Sequence, residues 1–136
     1  MTVVLDASVA VKLFLREAGT AEAEALRARE PFIAPDLIVV EVVNAIWRHI
    51  RVGRAAPPFM ATVTAGLPTL CSQLVPMVDL ADRAGEIAIA LDHPAYDCFY
   101  IALAEREGVE LVTADRRLFA KTRGTAFAAT VKPLVP

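Results

Sequence analysis

The apolar positions of this chain fall into short unbroken runs that alternate with longer segments of helical periodicity. Short apolar runs bounded by turn residues are typical of buried strands. They predict strands at residues 3–5, 75–78 and 109–113, an extended segment at 31–35, and an edge strand at 131–135. Pro133 is compatible with that last strand because an edge position does not require its missing N–H.

Helical periodicity occupies most of the remaining chain. The predicted helices cover residues 9–17, 20–29, 36–52, one or two helices within 57–74 that break near Pro68, 79–91, 96–107, and a short basic helix from 116 to 121. Ser8 and Asp79 are predicted to cap the helices that follow them. This alternation predicts an α/β protein, a single-domain three-layer α/β/α fold over residues 1–136 with a central, mainly parallel sheet.

Composition narrows the class of protein. With 136 residues, 56% apolar and 22% charged, the chain is long enough for one substantial core and too apolar to be disordered. A net charge of −2 excludes a wholly basic nucleic-acid binder. Residues 55–78 carry no charge, but their prolines argue against a membrane span. Two separated cysteines and an N-terminus without a basic leader favour a soluble cytoplasmic protein without membrane contact.

Four acidic residues stand out because apolar residues surround them in the sequence. They are Asp6, Glu41, Asp97 and Asp115, whereas most other acids lie on amphipathic helices and are expected to be solvated. Asp6 and Asp115 follow predicted strands, at the sheet edge where parallel α/β proteins bind ligands. Asp6 and Asp115 could also be ordinary turn residues at the ends of strands. Asp97 could be an ordinary acid at the start of a helix, where the helix dipole favours a negative charge.

Glu41 lies in a helix that is apolar on nearly every side. A carboxylate there must be paired, hydrogen-bonded or directed into a cleft, because its isolated burial would cost several kcal/mol. Asn44 and Arg48 follow on the same helix face. A structural Glu41–Arg48 contact is therefore one interpretation, and an acidic site with Asn44 as a supporting residue is the other.

Several carboxylates in one place repel one another, and a divalent cation removes that repulsion. Ligands that are all oxygen atoms favour Mg²⁺ or Mn²⁺ over zinc. Such a centre activates water for attack on a phosphodiester. Ser8 and Thr113 supply hydroxyls beside the acids, either for metal-bound water or for purely structural hydrogen bonds, and the two histidines are interpreted as packing or turn residues.

The acids lie within four segments that resemble a known family. The segments are VLDAS at 4–8, EVVN at 41–44, YDCFYIALA at 96–104 and LVTAD at 111–115. In this order and spacing they resemble the PIN-domain nucleases, and among them the VapC-type toxins of bacterial and archaeal toxin–antitoxin pairs. The proline-bearing stretch 57–76 departs from the family's helical arm.

The resemblance implies a metal-dependent endoribonuclease. Asp6, Glu41, Asp97 and Asp115 would form the catalytic, metal-binding set, with Ser8 and Thr113 assisting and Mg²⁺ or Mn²⁺ as cofactor. It also implies a homodimer, an RNA substrate and an inhibitory antitoxin partner. Arg48, Arg116 and Arg117 are the expected phosphate contacts, although solvated helix ends explain such residues equally well.

Three other functions share part of this pattern. A haloacid-dehalogenase-like phosphatase also places an Asp after its first strand, but it needs a second Asp two residues later, where Ser8 stands. A receiver-like signalling domain needs adjacent acids near the first strand and a late lysine. A non-catalytic α/β binding or regulatory module with structural acids remains the third alternative.

Overall fold

A computed structural model describes residues 1–134, which form a five-stranded sheet with helices around it. The strands are β1 (Val3–Leu5), β2 (Phe32–Pro35), β3 (Gln73–Val75), β4 (Leu111–Thr113) and β5 (Val131–Pro133). They lie in the order β3-β2-β1-β4-β5, and every neighbouring pair is parallel. The central strands β1, β2 and β4 are wholly buried, which explains their unbroken apolar runs.

Seven α-helices connect the strands. They are α1 (Ala7–Phe14), α2 (Thr20–Arg29), α3 (Leu37–Arg51), α4 (Phe59–Leu70), α5 (Ala81–Leu91), α6 (Ala95–Glu107) and α7 (Arg116–Thr122). The principal helix contacts form two groups, α1 with α2 and α3 and α3 with α4 in one, and α5 with α6 in the other. Crossovers between parallel strands are right-handed as a rule, so connections that run in opposite directions along the sheet, as from β1 to β3 and from β3 to β5, lie on opposite faces. The strand order is therefore that of the predicted three-layer architecture.

The segment between α4 and α5 differs from its prediction. The strand expected at 75–78 runs instead from Gln73 to Val75, and Met77–Leu80 form a 3₁₀ turn. The Asp36 carboxylate accepts the N–H of Met77 at 2.9 Å, which turns the chain away from the sheet. Asp79 therefore lies inside this turn, and Leu80 occupies the N-cap of α5.

The stretch that was expected to be broken by proline is one helix. Pro68 lies in the last turn of α4, and its side chain is exposed. The carbonyl four residues earlier lacks its usual N–H partner, and water can bind it on this exposed side of the helix. Gly66 allows α4 to approach α1, since a Cβ at this position would lie 2.9 Å from the ring of Phe14. The predicted edge strand is present as β5, while Val135 lies outside the described residues. Within residues 1–134, no helix is long and apolar enough to cross a bilayer.

The sheet topology creates a crevice at β1. The chain builds β2 and β3 on one side of β1 and then returns to place β4 and β5 on the other side. Ligand sites of open parallel sheets lie at such a reversal, beyond the carboxyl ends of the strands. Asp6 directly follows β1, and Asp115 lies two residues beyond β4.

Candidate active site

The four predicted acids line one cavity of about 260 Å³ at this crevice. Its lining also includes Ser8, Asn44 and Arg48, so every predicted acid and two of the supporting residues share one space. We call this cavity the acidic cleft and define it by Asp6, Glu41, Asp97 and Asp115. The acids come from the residue after β1, from α3, from α6 and from the turn after β4, and only the fold brings them together.

Asp6 is the most deeply buried of the four acids, with 4% of its surface exposed. Burial is the main reason that its pKa rises from 3.8 to about 6, and the negative charges of Asp97 and Asp115 add to the rise. Hydrogen bonds from Thr113 and Ser8 act in the opposite direction. The site thus holds a carboxylate whose charge is unfavourable unless a cation lies close to it.

Ser8 and Thr113 tie Asp6 to the turn after β4. The Thr113 and Ser8 hydroxyls donate to Oδ2 of Asp6 at 2.6 and 2.7 Å. Their oxygens in turn accept the backbone N–H groups of Asp115 and Ala114, each at 3.0 Å. Because each hydroxyl has only one hydrogen, both hydroxyls are committed to Asp6.

This network corrects the prediction that Ser8 caps the first helix. Asp6 occupies the N-cap of α1, and its backbone carbonyl accepts the N–H groups of Val9 and Ala10. The Ser8 side chain turns toward Asp6 and β4 instead.

Glu41 is half-buried on α3 and accepts a hydrogen bond from the phenol of Tyr100 at 2.5 Å. Burial raises the pKa of Glu41, and the negative charges of Asp6 and Asp97 raise it further. Burial also raises the pKa of Tyr100 above its ordinary value, so the phenol stays a donor. Within residues 1–134 Glu41 has no ion pair with Arg48, so the structural pairing considered from the sequence is absent.

Asp97 lies in the first turn of α6, and its Oδ2 is 2.6 Å from Nε2 of His93. His93 was interpreted as a packing or turn residue, whereas the structure gives it a contact that orients a cleft carboxylate. Asp115 caps α7, since its Oδ1 accepts the N–H groups of Arg117 and Leu118 at 2.9 and 3.3 Å.

The predicted RNA contacts lie at different distances from the cleft. Arg48 lines it directly. Arg116 and Arg117 are exposed in the first turn of α7, immediately after Asp115. Their role as phosphate contacts stays a prediction.

The donor set fits a hard divalent cation. One oxygen of each cleft carboxylate is hydrogen-bonded, whereas Asp6 Oδ1, Glu41 Oε2, Asp97 Oδ1 and Asp115 Oδ2 receive no hydrogen bond from residues 1–134. Within the described part of the chain, no group of three or more Asp, Glu, His or Cys side chains is already close enough together to hold a metal ion. The carboxylates would therefore have to converge on an ion that they share.

Tyr100 and His93 are the site residues that sequence reasoning missed. Tyr100 follows Asp97 by three positions and therefore lies on the same side of α6, while His93 precedes Asp97 by four. That spacing was available in the sequence. The partner of Tyr100, however, lies 59 residues away on another helix and could not be inferred from spacing.

Comparison with known proteins gives consistent matches. The family model described as the PIN domain matches residues 3–124. Ribonuclease VapC3 of Pyrobaculum aerophilum is 32% identical over 98% of this chain and 100% of its own length. Exonuclease VapC9 of the same organism is 31% identical over 78% of each chain. The solved structure of VapBC2 from Rickettsia felis, bound to a promoter DNA fragment, covers 98% of both chains at 11% identity with a TM-score of 0.67, and it supports the fold alone.

Proposed function

The chain belongs to the PIN-domain family, and on this basis we propose that it is a divalent-metal-dependent endoribonuclease that acts as the toxin of a toxin–antitoxin pair. The comparisons confirm the coarser part of the sequence prediction, a PIN-domain ribonuclease of the VapC type. The requirement for Mg²⁺ or Mn²⁺, the internal position of the cut and the roles of individual residues belong to the proposal.

One observation carries the proposal. Four carboxylates from distant segments line a single cavity at the crevice between β1 and β4, and each keeps an oxygen that no group of residues 1–134 hydrogen-bonds. A purely structural acid is expected to have its hydrogen-bonding capacity satisfied within the fold. These four acids instead each keep one oxygen that accepts no hydrogen bond from residues 1–134, and all four line the same space.

The side chains divide the work of the reaction. Asp6, Glu41, Asp97 and Asp115 would hold the cation, which when bound supplies Lewis acidity and an activated water for phosphodiester hydrolysis. Ser8 and Thr113 fix the orientation of Asp6, and Tyr100 and His93 do the same for Glu41 and Asp97. Arg48, Arg116 and Arg117 would bind phosphates of the RNA on either side of the cleft.

The partners of the protein are proposed on the same basis. VapC toxins pair with VapB antitoxins, and the Rickettsia felis structure is of a VapBC complex. We expect an antitoxin to inhibit this chain and an RNA to be its substrate. A homodimer and a cytoplasmic location complete the proposal.

The phosphatase alternative loses its basis at Ser8. A dehalogenase-like phosphatase needs an acid two residues after the first Asp, and here that position holds a hydroxyl that donates to Asp6. A serine bound in this way cannot exchange protons as a carboxylic acid would.

The proposal is tested by RNA cleavage with the purified chain. We expect cleavage of RNA in Mg²⁺ or Mn²⁺, loss of cleavage in EDTA, and recovery when the metal is restored. A circular RNA separates the two kinds of nuclease, because an endonuclease linearises it and an exonuclease cannot begin on it. Cleavage that persists in EDTA would exclude the metal mechanism.

Thermal unfolding supplies a readout that does not depend on activity. Because a ligand bound only to the folded state stabilises it, millimolar Mg²⁺ should raise the Tm of the wild type. The same addition should have a smaller effect on an Asp6→Asn variant. Equal responses of the two proteins would remove Asp6 from the metal site.

A further inference from the structure

A second cavity, of about 250 Å³, opens beside the acidic cleft over the carboxyl ends of β4 and β5. Asp115 lines both spaces, and Thr113 and Ala114 form the floor of the second one. We call this space the side cavity. Any group that occupies it lies next to whatever is bound in the acidic cleft.

The walls of the side cavity are mostly apolar. Phe119 of α7, Pro133 and Leu134 at the end of β5, and Ala18 and Gly19 before α2 enclose it. Its volume is below the range of about 300–1,000 Å³ that is usual for drug-sized ligands. The side cavity therefore suits a single flat ring system rather than an extended molecule.

The ring of Phe119, which forms the aromatic wall, is held in place by Arg123. The guanidinium of Arg123 lies 4.0 Å from the centre of the Phe119 ring and donates to the carbonyls of Ala128 and Val131 at 2.8 Å each. Arg123 thereby covers one face of the ring and anchors it to Ala128 and to the first residue of β5. An occupant would contact the remaining surface of Phe119.

The opposite wall depends on Gly19. This residue has a φ of +93°, and a Cβ here would lie 3.0 Å from Cδ of Lys12 and 3.4 Å from Cδ2 of Leu134. Only glycine adopts this conformation and lets both neighbours approach without strain. The shape of this wall thus depends on glycine at position 19.

Cations lie along the rim of this apolar space. Lys12 is held by the carbonyl of Ala18 at 2.7 Å and by Glu17 at 3.2 Å, and Arg116 is exposed on the other side. Proteins that bind single-stranded nucleic acid combine an aromatic surface for the base with cations for the backbone phosphates. An apolar peptide segment would offer no charged partner to the exposed Arg116 at this rim, whereas an RNA phosphate would.

We propose that the side cavity binds one nucleobase of the RNA, directly beside the phosphodiester that is cut, and so makes cleavage sensitive to the base at that position. This assignment rests on the proposed function, because that function identifies RNA as the substrate. It adds a subsite that is separate from the four acids, and it assigns the base contact to Phe119 and Leu134 with Lys12 and Arg116 near the adjoining phosphates.

The test uses single-stranded RNAs in which an abasic site is moved one position at a time past the cut bond. The wild type in Mg²⁺ or Mn²⁺ should cleave one of these RNAs about ten-fold more slowly than the intact RNA, as loss of one stacked base predicts. Other positions should change little. A flat profile across all positions in a protein that cleaves RNA would overturn the assignment.

An Ala18→Trp variant fills the side cavity from an exposed position without altering any cleft acid. It should lose the position-specific sensitivity, so that intact and abasic RNAs are cleaved at similar rates. Ala21→Trp is the matched control, since Ala21 is exposed on α2 and lines neither cavity. The control should keep the wild-type profile, and retention of that profile by Ala18→Trp would contradict the proposal.

A binding measurement separates this proposal from the nuclease activity. Fluorescence of 2-aminopurine riboside 5′-monophosphate should be quenched by the wild type and by Ala21→Trp in EDTA, and not by Ala18→Trp. If no RNA is cleaved but this pattern is found, the proposed function fails while the base site stands. If no RNA is cleaved and the wild type does not quench the nucleotide, the base site is excluded and another occupant must be sought.

Discussion

Asp6 and Asp115 lie just beyond the carboxyl ends of β1 and β4, and we call this part of the acidic cleft the sheet edge. Hydroxyls and backbone amides bind the two carboxylates there. Glu41 and Asp97 instead stand on α3 and α6, and we call this part the helix side. The sheet-edge carboxylates accept two hydrogen bonds each. Among residues 1–134, Glu41 accepts a hydrogen bond from Tyr100 alone, and Asp97 has a hydrogen bond with His93 alone. The cavity therefore has one region in which each carboxylate accepts two hydrogen bonds and another in which each carboxylate has only one from residues 1–134.

The difference has an energetic consequence. At the sheet edge, the hydroxyls that orient Asp6 also join the end of β1 to the turn after β4, so that a substitution there should affect both the fold and the site. On the helix side, neither the Tyr100 hydroxyl nor Nε2 of His93 forms a hydrogen bond within residues 1–134 other than the one to its acid. Substitutions on that side should affect metal binding and activity more than stability.

The largest expected effect is on activity, at Asp97 on the helix side. Asp97→Asn removes a proposed metal ligand and should lower RNA cleavage by more than about a hundred-fold, since even residues behind the ligands typically contribute 10- to 100-fold. The fold should survive, as judged by circular dichroism and Tm. Asp92→Asn is the control, because Asp92 is exposed and has a φ of 51°, which asparagine tolerates. Wild-type cleavage by Asp97→Asn would remove this residue from the site.

The next effect concerns pH and the buried carboxyl of Asp6. Its pKa of about 6 lies above its ordinary 3.8, so between these values the folded protein retains a proton that the unfolded chain has lost. The free energy of unfolding should therefore fall as pH rises from about 4 to about 6, by about 3 kcal/mol from this group. Urea unfolding in EDTA would measure the slope, and Asp6→Asn should remove that part of it. An Asp6→Asn variant with the full wild-type slope would show that other groups cause it.

Thr113→Val should lower the stability of the sheet-edge region. The change keeps the shape of the side chain, but it removes a donor to Asp6 and leaves the N–H of Asp115 without its acceptor. We expect a loss of about 1–3 kcal/mol in urea unfolding, together with weaker stabilisation by Mg²⁺. Thr69→Val is the control because the Thr69 hydroxyl bonds only the carbonyl of Gly66 on an exposed helix side. Equal losses for both variants would show that the bond to Asp6 contributes nothing particular.

The smallest effect on stability is expected for Tyr100→Phe on the helix side. The ring stays buried, and a single hydrogen bond to a half-buried carboxylate is lost, so the cost should be about 1 kcal/mol. The rise in Tm caused by Mg²⁺ should nevertheless shrink, because Glu41 loses the group that orients it. Tyr96→Phe, at an exposed position, should change neither quantity. A large loss of stability with an unchanged Mg²⁺ response would reverse the comparison between the two regions.

Much of the fold could be predicted because local patterns coincide with final positions. The buried strand β1 is apolar throughout, and β4 is apolar up to Thr113. Gly19, Gly53 and Gly108 each stand close to an end of a helix. The prediction failed at β3, which begins with the exposed polar residue Gln73 and is fully buried only at Val75, so that the apolar residues after Val75 were assigned to a strand. It also failed at Ser8, because the cap of α1 and the bond to Asp6 require the same side chain in different orientations.

The sequence by itself determined which acids are unusual, because a carboxylate among apolar residues is costly wherever the chain places it. It also determined the alternation of strands and helices, which depends on neighbours within a few residues. Only the tertiary structure decided that the four acids share one cavity, that Tyr100 donates to Glu41, and that an apolar cavity adjoins Asp115. Those outcomes depend on the order of the strands and on contacts between residues far apart in the chain, and no local pattern encodes them.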